Sequence, residues 1–129
     1  MTTSQSYFQH HQALLQALLQ HCMQTLPFSS EQANEVDLEL LAMLQRLSEA
    51  QQRTEDYDSD GQSLICRIVG QYSHITPAVN RDLFWYFGGD CLHYMGNEEI
   101  ELYQQLDELL HDGEAVDYNE ARAKVFKLH

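Results

Sequence analysis

The residues best suited to chemistry fall together at Asp90, Cys91 and His93, directly after the glycine pair Gly88-Gly89. If Asp90 caps a short helix, Cys91 lies in the first helical turn, where unpaired N–H groups lower the pKa of a thiol. Asp90 and His93 are three positions apart, so they share one face of a helix. Aspartate, cysteine and histidine are also preferred ligands of zinc and related metals. The pattern indicates a reactive thiol, a redox thiol or part of a metal site.

The same three residues also have a purely structural interpretation. Cysteine is among the most buried residue types, and histidine often packs in a core with one satisfied hydrogen bond. Cys91 and His93 are two positions apart and point in different directions on a helix. A complete metal site would need further ligands from elsewhere in the chain, and His21 and Cys22 are candidates. Sequence alone leaves both interpretations open.

A second candidate site is the acidic run that ends at Gly61. Asp56, Asp58 and Asp60 followed by glycine match the first half of an EF-hand loop, in which alternate carboxylates converge on calcium. The second half does not match, because Arg67 stands where a bidentate glutamate should close the shell. The alternative is an acidic loop whose last aspartate caps the next helix.

The elements that must position these residues are helices. Apolar residues recur at helical spacing almost throughout, and no stretch alternates as a strand would. The sequence predicts an all-α fold, a single domain over residues 1–129 that forms one compact bundle of five or six helices. The start and stop signals are a capping box from Ser29 to Gln32, Thr76-Pro77 ahead of the fourth helix, Gly88-Gly89 behind it, Gly113 behind the fifth and Asp117 ahead of the sixth. The predicted inward face of the second helix is Val36, Leu40, Met43, Leu44 and Leu47.

The first helix, predicted over residues 5–25, carries a narrow apolar seam. Its members follow 3-4 spacing, and residues 1–30 contain no Asp, Glu, Lys or Arg that would oppose docking. The seam is therefore a candidate interface for a partner helix or for a second copy of the chain. The alternative is that it packs in its own bundle. The seam residues are Phe8, His11, Leu15, Leu18 and Cys22.

Charge and composition narrow the partners and the compartment. The chain has 20 acidic residues against 7 Lys and Arg, a formal net charge of −13, which disfavours nucleic acid and anionic membranes as partners. The absence of Lys and Arg before Arg46 argues against a secretory signal, and the apolar run Leu83 to Phe87 is too short to cross a bilayer. With no export signal, the three cysteines predict reduced thiols and a cytoplasmic location.

Most of the chain resembles a small group of uncharacterised bacterial cytosolic proteins. The likeness rests on the string from Arg81 to Met95, which contains Phe-Trp-Tyr-Phe-Gly-Gly-Asp-Cys-Leu-His-Tyr-Met, and on the acidic helix containing Tyr103-Gln-Gln-Leu-Asp-Glu108. The first helix and the ending from Tyr118 to His129 are also similar. The resemblance implies a short, stand-alone bacterial protein. It brings no activity, so no functional residue is carried over from it.

Together these patterns favour a small interaction or regulatory protein, with a homodimer through the first helix as one form of it. No cofactor is predicted, although a divalent metal stays an alternative. The rival interpretations are a metal-binding or thiol-dependent enzyme around Asp90, Cys91 and His93, and a single calcium loop at Asp56, Asp58 and Asp60. The sequence favours a non-enzyme, because it contains no G-x-S-x-G, phosphate-binding loop or H-E-x-x-H motif.

Overall fold

The computed structural model describes residues 3–111 and 118–127, and within them every regular element is a helix. The predicted all-α fold is confirmed. Six α-helices run in chain order: α1 (Thr3–Met23), α2 (Glu35–Glu49), α3 (Glu55–Gln71), α4 (Arg81–Phe87), α5 (Asn97–His111) and α6 (Tyr118–Lys127). Two short 3-10 helices, Thr76–Ala78 and Gly89–Tyr94, precede and follow α4. Gly113 and Asp117, the predicted end of the fifth helix and start of the sixth, lie outside the described residues.

One apolar core holds all six helices together. α1 packs against α2, α4 and α6, α2 also packs against α3, and α5 packs against α6. Each α-helix supplies buried apolar side chains, for example Leu15, Leu40, Ile65, Phe84, Leu106 and Val125. Burying one such side chain stabilises the fold by about 1.5–3 kcal/mol. None of the helices described combines the length and apolarity needed to cross a lipid bilayer.

The seam of α1 lies inside this core. Leu15 and Cys22 have no exposed surface, while Leu18 is 2 % and His11 only 1 % exposed. Phe8 is half-buried and packs against the same core. The candidate interface on helix one is therefore corrected to the alternative, packing within its own bundle, and of the five residues only Phe8 keeps an appreciable part of its surface exposed.

The start of α2 also differs from the prediction. Asn34, rather than Ser29, is the N-cap, since its side chain accepts a hydrogen bond from the Asp37 amide at 2.8 Å. The Asp37 carboxylate accepts one in return from the Asn34 amide at 3.0 Å, which completes a capping box. Val36, predicted to face inward, is 48 % exposed, whereas Asp37 is buried. Leu40, Leu44 and Leu47 are buried as predicted, so the buried face of this helix includes Asp37 in place of Val36.

Glycines end α4 and allow α3 to approach α4 closely. Gly88 and Gly89 have φ of +65° and +56°, a left-handed conformation that suits glycine, and they end α4 as predicted. Gly61 lies inside α3, where an added Cβ would come within 2.0 Å of the Phe87 ring. This glycine therefore permits close approach of a neighbouring side chain and makes no loop. Thr76-Pro77 forms a 3-10 turn, and α4 begins later, behind the N-cap Asn80.

Candidate functional site

The structure does not bring Asp90, Cys91 and His93 together. The short 3-10 helix buries Cys91 completely, with its thiol 3.8 Å from the carbonyl oxygen of Gln62. The side chains of Asp90 and His93 are 90 % and 81 % exposed, and their closest polar atoms are 4.0 Å apart. Burial raises the pKa of the Cys91 thiol to about 12, which is opposite to the activation expected at a helix start. The predicted functional cluster is thus one buried thiol and two solvent-facing side chains.

The predicted calcium loop is a helix. Asp56, Asp58 and Asp60 all lie in α3, which begins at Glu55 behind the N-cap Thr54. Alternate residues of a helix point in different directions, so the three carboxylates do not converge. Asp58 instead accepts a hydrogen bond from Arg53 Nε at 2.7 Å. The calcium interpretation is corrected by this geometry.

A different residue, Asp82, forms the polar centre of the fold. It is the second residue of α4, and its side chain has no exposed surface. His10 Nε2 of α1 donates to its Oδ2 at 2.8 Å. Arg122 of α6 donates to both oxygens, at 2.6 Å from Nε and 2.9 Å from a terminal nitrogen. The hydroxyl of Tyr103, in α5, donates a hydrogen bond to Oδ1. We call these four residues the Asp82 centre.

The Asp82 centre keeps its carboxylate charged. Burial alone would raise the pKa of Asp82. The hydrogen bonds from His10, Arg122 and Tyr103 outweigh burial and hold this pKa well below its usual range. A buried aspartate of this kind joins three helices to α4, because each donor comes from a different helix.

His11 lies beside the Asp82 centre in a pocket of aromatic rings. Its ring stacks on Tyr86 with 3.9 Å between centroids and 5° between planes, and Tyr7 and Tyr118 contact its other sides. Nδ1 lies 2.7 Å from the Tyr7 carbonyl oxygen and donates to it, which leaves the lone pair on Nε2. Burial lowers the pKa of His11 to about 3, so the imidazole is neutral at pH 7.

A chain of buried hydrogen bonds continues from this pocket to the end of α2. The Tyr86 hydroxyl donates to the Tyr57 hydroxyl at 3.2 Å, which in turn donates to Gln12 Oε1 at 2.5 Å. Gln12 Nε2 then donates to three carbonyl oxygens at the end of α2, at 2.8–3.2 Å. Unpaired carbonyls at a helix end need such partners. These carbonyls belong to Leu47, Ser48 and Ala50.

An open groove of about 560 Å³ borders the Asp82 centre. Tyr103 and Arg122 form part of its wall, and Arg81 stands across it. Arg81 is held by Glu99, with two nitrogen–oxygen distances of 2.8 Å. Both guanidinium groups of the groove therefore already face a carboxylate.

The surface of the molecule has one further distinctive region, at the turn from α1 to α2. Among the described residues, only five large hydrophobic side chains are exposed, and four of them lie between positions 23 and 38. We call these four the α1–α2 corner. They are Met23, Leu26, Val36 and Leu38, with 52 %, 65 %, 48 % and 51 % of their surface exposed.

Neither the Asp82 centre nor the α1–α2 corner is predicted by the sequence patterns described above. Asn80, two residues before Asp82, signals a helix start, and its side chain accepts from the Asp82 amide at 2.9 Å. That signal predicts an acidic residue in a first turn, but not its burial. Leu26 and Leu38 stand outside the helical apolar periodicity, which was a usable sign of exposure.

A model of the PA2817-like family matches residues 3–129. No curated protein and no solved structure matches the chain.

Proposed function

The chain belongs to the PA2817-like family, and from the α1–α2 corner we propose that it is an interaction module for another protein. Its partner would be a segment that carries both apolar and basic side chains. The observation that carries this proposal is the grouping of four exposed hydrophobic side chains around one turn. Exposed hydrophobic residues scattered singly are normal on a surface, whereas their concentration in one region is typical of a site of association.

The apolar part of the proposal rests on how the corner is built. Met23 ends α1, Leu26 lies on the connection, and Val36 and Leu38 lie in the first turns of α2. The connection is held by backbone hydrogen bonds, including Ser29 to Thr25 and Ala33 to Ser30. His74 also donates to the Leu26 carbonyl oxygen at 2.7 Å. These contacts hold the corner in place, so little ordering is needed before a partner docks.

The basic part of the proposal rests on charge. Glu31, Glu35 and Glu39 are exposed beside the corner, and residues 1–45 contain no Lys or Arg. With a net charge of −13, the molecule attracts cationic segments and repels anionic ones. A second copy would bring the same three glutamates against their equivalents, so like-charge repulsion opposes a dimer through this surface. A different protein is therefore the favoured occupant.

The compartment belongs to the same proposal. The composition predicts a cytoplasmic protein and the resemblance implies a bacterial one, so a basic partner would be met among other proteins of the cytoplasm. Docking would regulate the partner if the partner uses the same segment for its own function, because the bound segment is then blocked.

Synthetic amphipathic peptides test the proposal directly. Two peptides share one apolar face and differ only in carrying lysine or glutamate on the other face. We expect the full-length chain to bind the lysine peptide, measured by fluorescence anisotropy, with an affinity that falls as salt rises. The double variant Leu26→Gln, Leu38→Gln should lose at least tenfold in affinity, because it removes apolar contact area.

Tyr94 supplies the matched control. It is the fifth exposed large hydrophobic, 41 % exposed, and lies outside the corner. Tyr94→Gln should leave peptide binding unchanged. Equal binding of both peptides, or equal losses in the corner and Tyr94 variants, would overturn the proposal. Concentration-dependent dimerisation abolished by the corner variant would identify a second copy as the occupant instead.

A further inference from the structure

We propose that His10, His11 and Asp82 form a site for a divalent transition metal such as zinc or cobalt. One ligand atom of each residue lies within 4.8 Å of the others. Two imidazoles and one carboxylate are a ligand set that such metals accept, usually with an open position for water. The site is separate from the α1–α2 corner and does not depend on it.

The distances require a small contraction. In a tetrahedral zinc site with bonds of about 2.0–2.1 Å, neighbouring ligand atoms are about 3.3 Å apart. His10 Nε2 and Asp82 Oδ2, now 2.8 Å apart, would open slightly. The widest pair, at no more than 4.8 Å, would close by about 1.5 Å or less, which side-chain rotation can supply.

His11 is prepared for this role. Its Nδ1–H donates to the Tyr7 carbonyl oxygen, an arrangement that metal-bound histidines use to fix the tautomer and the ring direction. The stack on Tyr86 restrains the ring further. With the proton on Nδ1, the lone pair on Nε2 is the one that a metal would bind.

His10 would exchange its hydrogen bond for a bond to the metal. It now donates an N–H from Nε2 to Asp82, and its imidazole is only partly exposed, at 19 %. A metal binds a ring nitrogen that carries no hydrogen, so Nε2 would bind it in the neutral tautomer that carries the proton on Nδ1. The metal then takes the place of the hydrogen between nitrogen and oxygen.

Arg122 is the competitor for the site. Its guanidinium holds both oxygens of Asp82, and a cation at Oδ2 would be repelled by it. The Arg122 side chain is 32 % exposed and lines the open groove, so it can swing outward when a metal enters. This geometry predicts that arginine and metal exclude one another. Metal bound by an isolated surface histidine would not compete with Arg122 in this way.

The experiment is a cobalt titration of the full-length chain after removal of metal with a chelator. We expect one Co²⁺ per chain, with visible absorption bands of nitrogen and oxygen ligands. His10→Gln removes a ligand and should weaken binding by at least about tenfold, since even outer-shell changes cost about 10–100-fold. Arg122→Gln removes the competitor and should strengthen binding instead.

His93→Gln is the matched control, because its imidazole is 81 % exposed and lies in another part of the fold. Its affinity for Co²⁺ should equal that of the parent chain. The circular dichroism spectrum of each variant shows whether it is folded, and binding is compared only among folded variants. The proposal is overturned if the parent binds no stoichiometric cobalt, if His93→Gln loses binding as His10→Gln does, or if Arg122→Gln weakens it.

Discussion

Asp82 and Asp37 are both buried carboxylates in the first turn of a helix, yet they are held in different ways. Asp37, third in α2, accepts from the amide of its own N-cap and from the Tyr72 hydroxyl at 2.5 Å. Asp82, second in α4, accepts from α1, α5 and α6, and one of its donors is a bidentate guanidinium. The first carboxylate mainly completes a local cap. The second joins distant parts of the chain through a charge pair.

The contrast shows that burial of a carboxylate does not by itself determine how much that carboxylate stabilises the fold. A helix N-terminus favours negative charge at both positions. Neutral donors within or near a cap contribute about 1 kcal/mol each. A buried charge pair is different, because removing one partner leaves the other charge without compensation, at a cost of about 3–5 kcal/mol.

The largest expected effect separates the two aspartates directly. Asp82→Asn should destabilise the fold by about 3–5 kcal/mol, because Arg122 loses its carboxylate. Asp37→Asn keeps an oxygen for its neutral donors and should cost about 1–2 kcal/mol. Urea denaturation of both variants measures the difference. Equal losses would mean that the charge pair at Asp82 adds nothing beyond an ordinary hydrogen bond.

The next effect depends on pH and tests the tyrosine beside Asp37. Burial, followed by the hydrogen bond to Asp37, raises the pKa of Tyr72 to about 12. Between pH 10 and 12 the unfolded tyrosine therefore releases a proton that the folded one keeps. Stability from this residue is fully present below pH 10 and is lost as pH rises towards 12, with a slope of at most about 1.4 kcal/mol per pH unit.

Tyr72→Phe removes this titration. We expect its free energy of unfolding to be about 1 kcal/mol lower at pH 8 and to fall less steeply than that of the parent above pH 10. Chemical denaturation across pH 8–11.5 checks both statements. An unchanged alkaline slope would show that Tyr72 titrates alike in the folded and unfolded chain.

The smallest effect tests the cap that supports Asp37. Asn34→Ala removes the acceptor of the Asp37 amide and should cost about 1 kcal/mol. Ser29→Ala, at the start predicted from sequence, is the control and should change stability by less than about 0.5 kcal/mol. Thermal denaturation of the pair is sufficient. A larger loss of stability in Ser29→Ala than in Asn34→Ala would show that Ser29 is the N-cap of α2 instead.

Sequence reasoning reached the helices more readily than the site, for a physical reason. Apolar periodicity and caps act within a few residues, so α1 and the stop at Gly88 follow from local patterns, as does the part of α3 beyond Gly61. The capping box of Asn34 and Asp37 also has a local spacing, but Ser29 and Gln32 have the same spacing and make an equally plausible helix start in the sequence. The acidic run of α3 was misjudged because carboxylates in a helix's first turn and in a calcium loop have the same composition.

The Asp82 centre was beyond local patterns. His10 is 72 residues away in sequence and Arg122 is 40 residues away. Only packing of the whole bundle brings them to one carboxylate. Cys91 is a different case, because its complete burial agrees with the structural interpretation that the sequence left open beside the chemical one.

Gln12 carries a consequence for motion. One amide side chain from α1 holds the last carbonyl oxygens of α2 and the Tyr57 hydroxyl of α3 at once. Fraying at the end of α2 must therefore break contacts to two other helices. Backbone amide protons near this junction should exchange with deuterated solvent in a single cooperative step shared by the three helices.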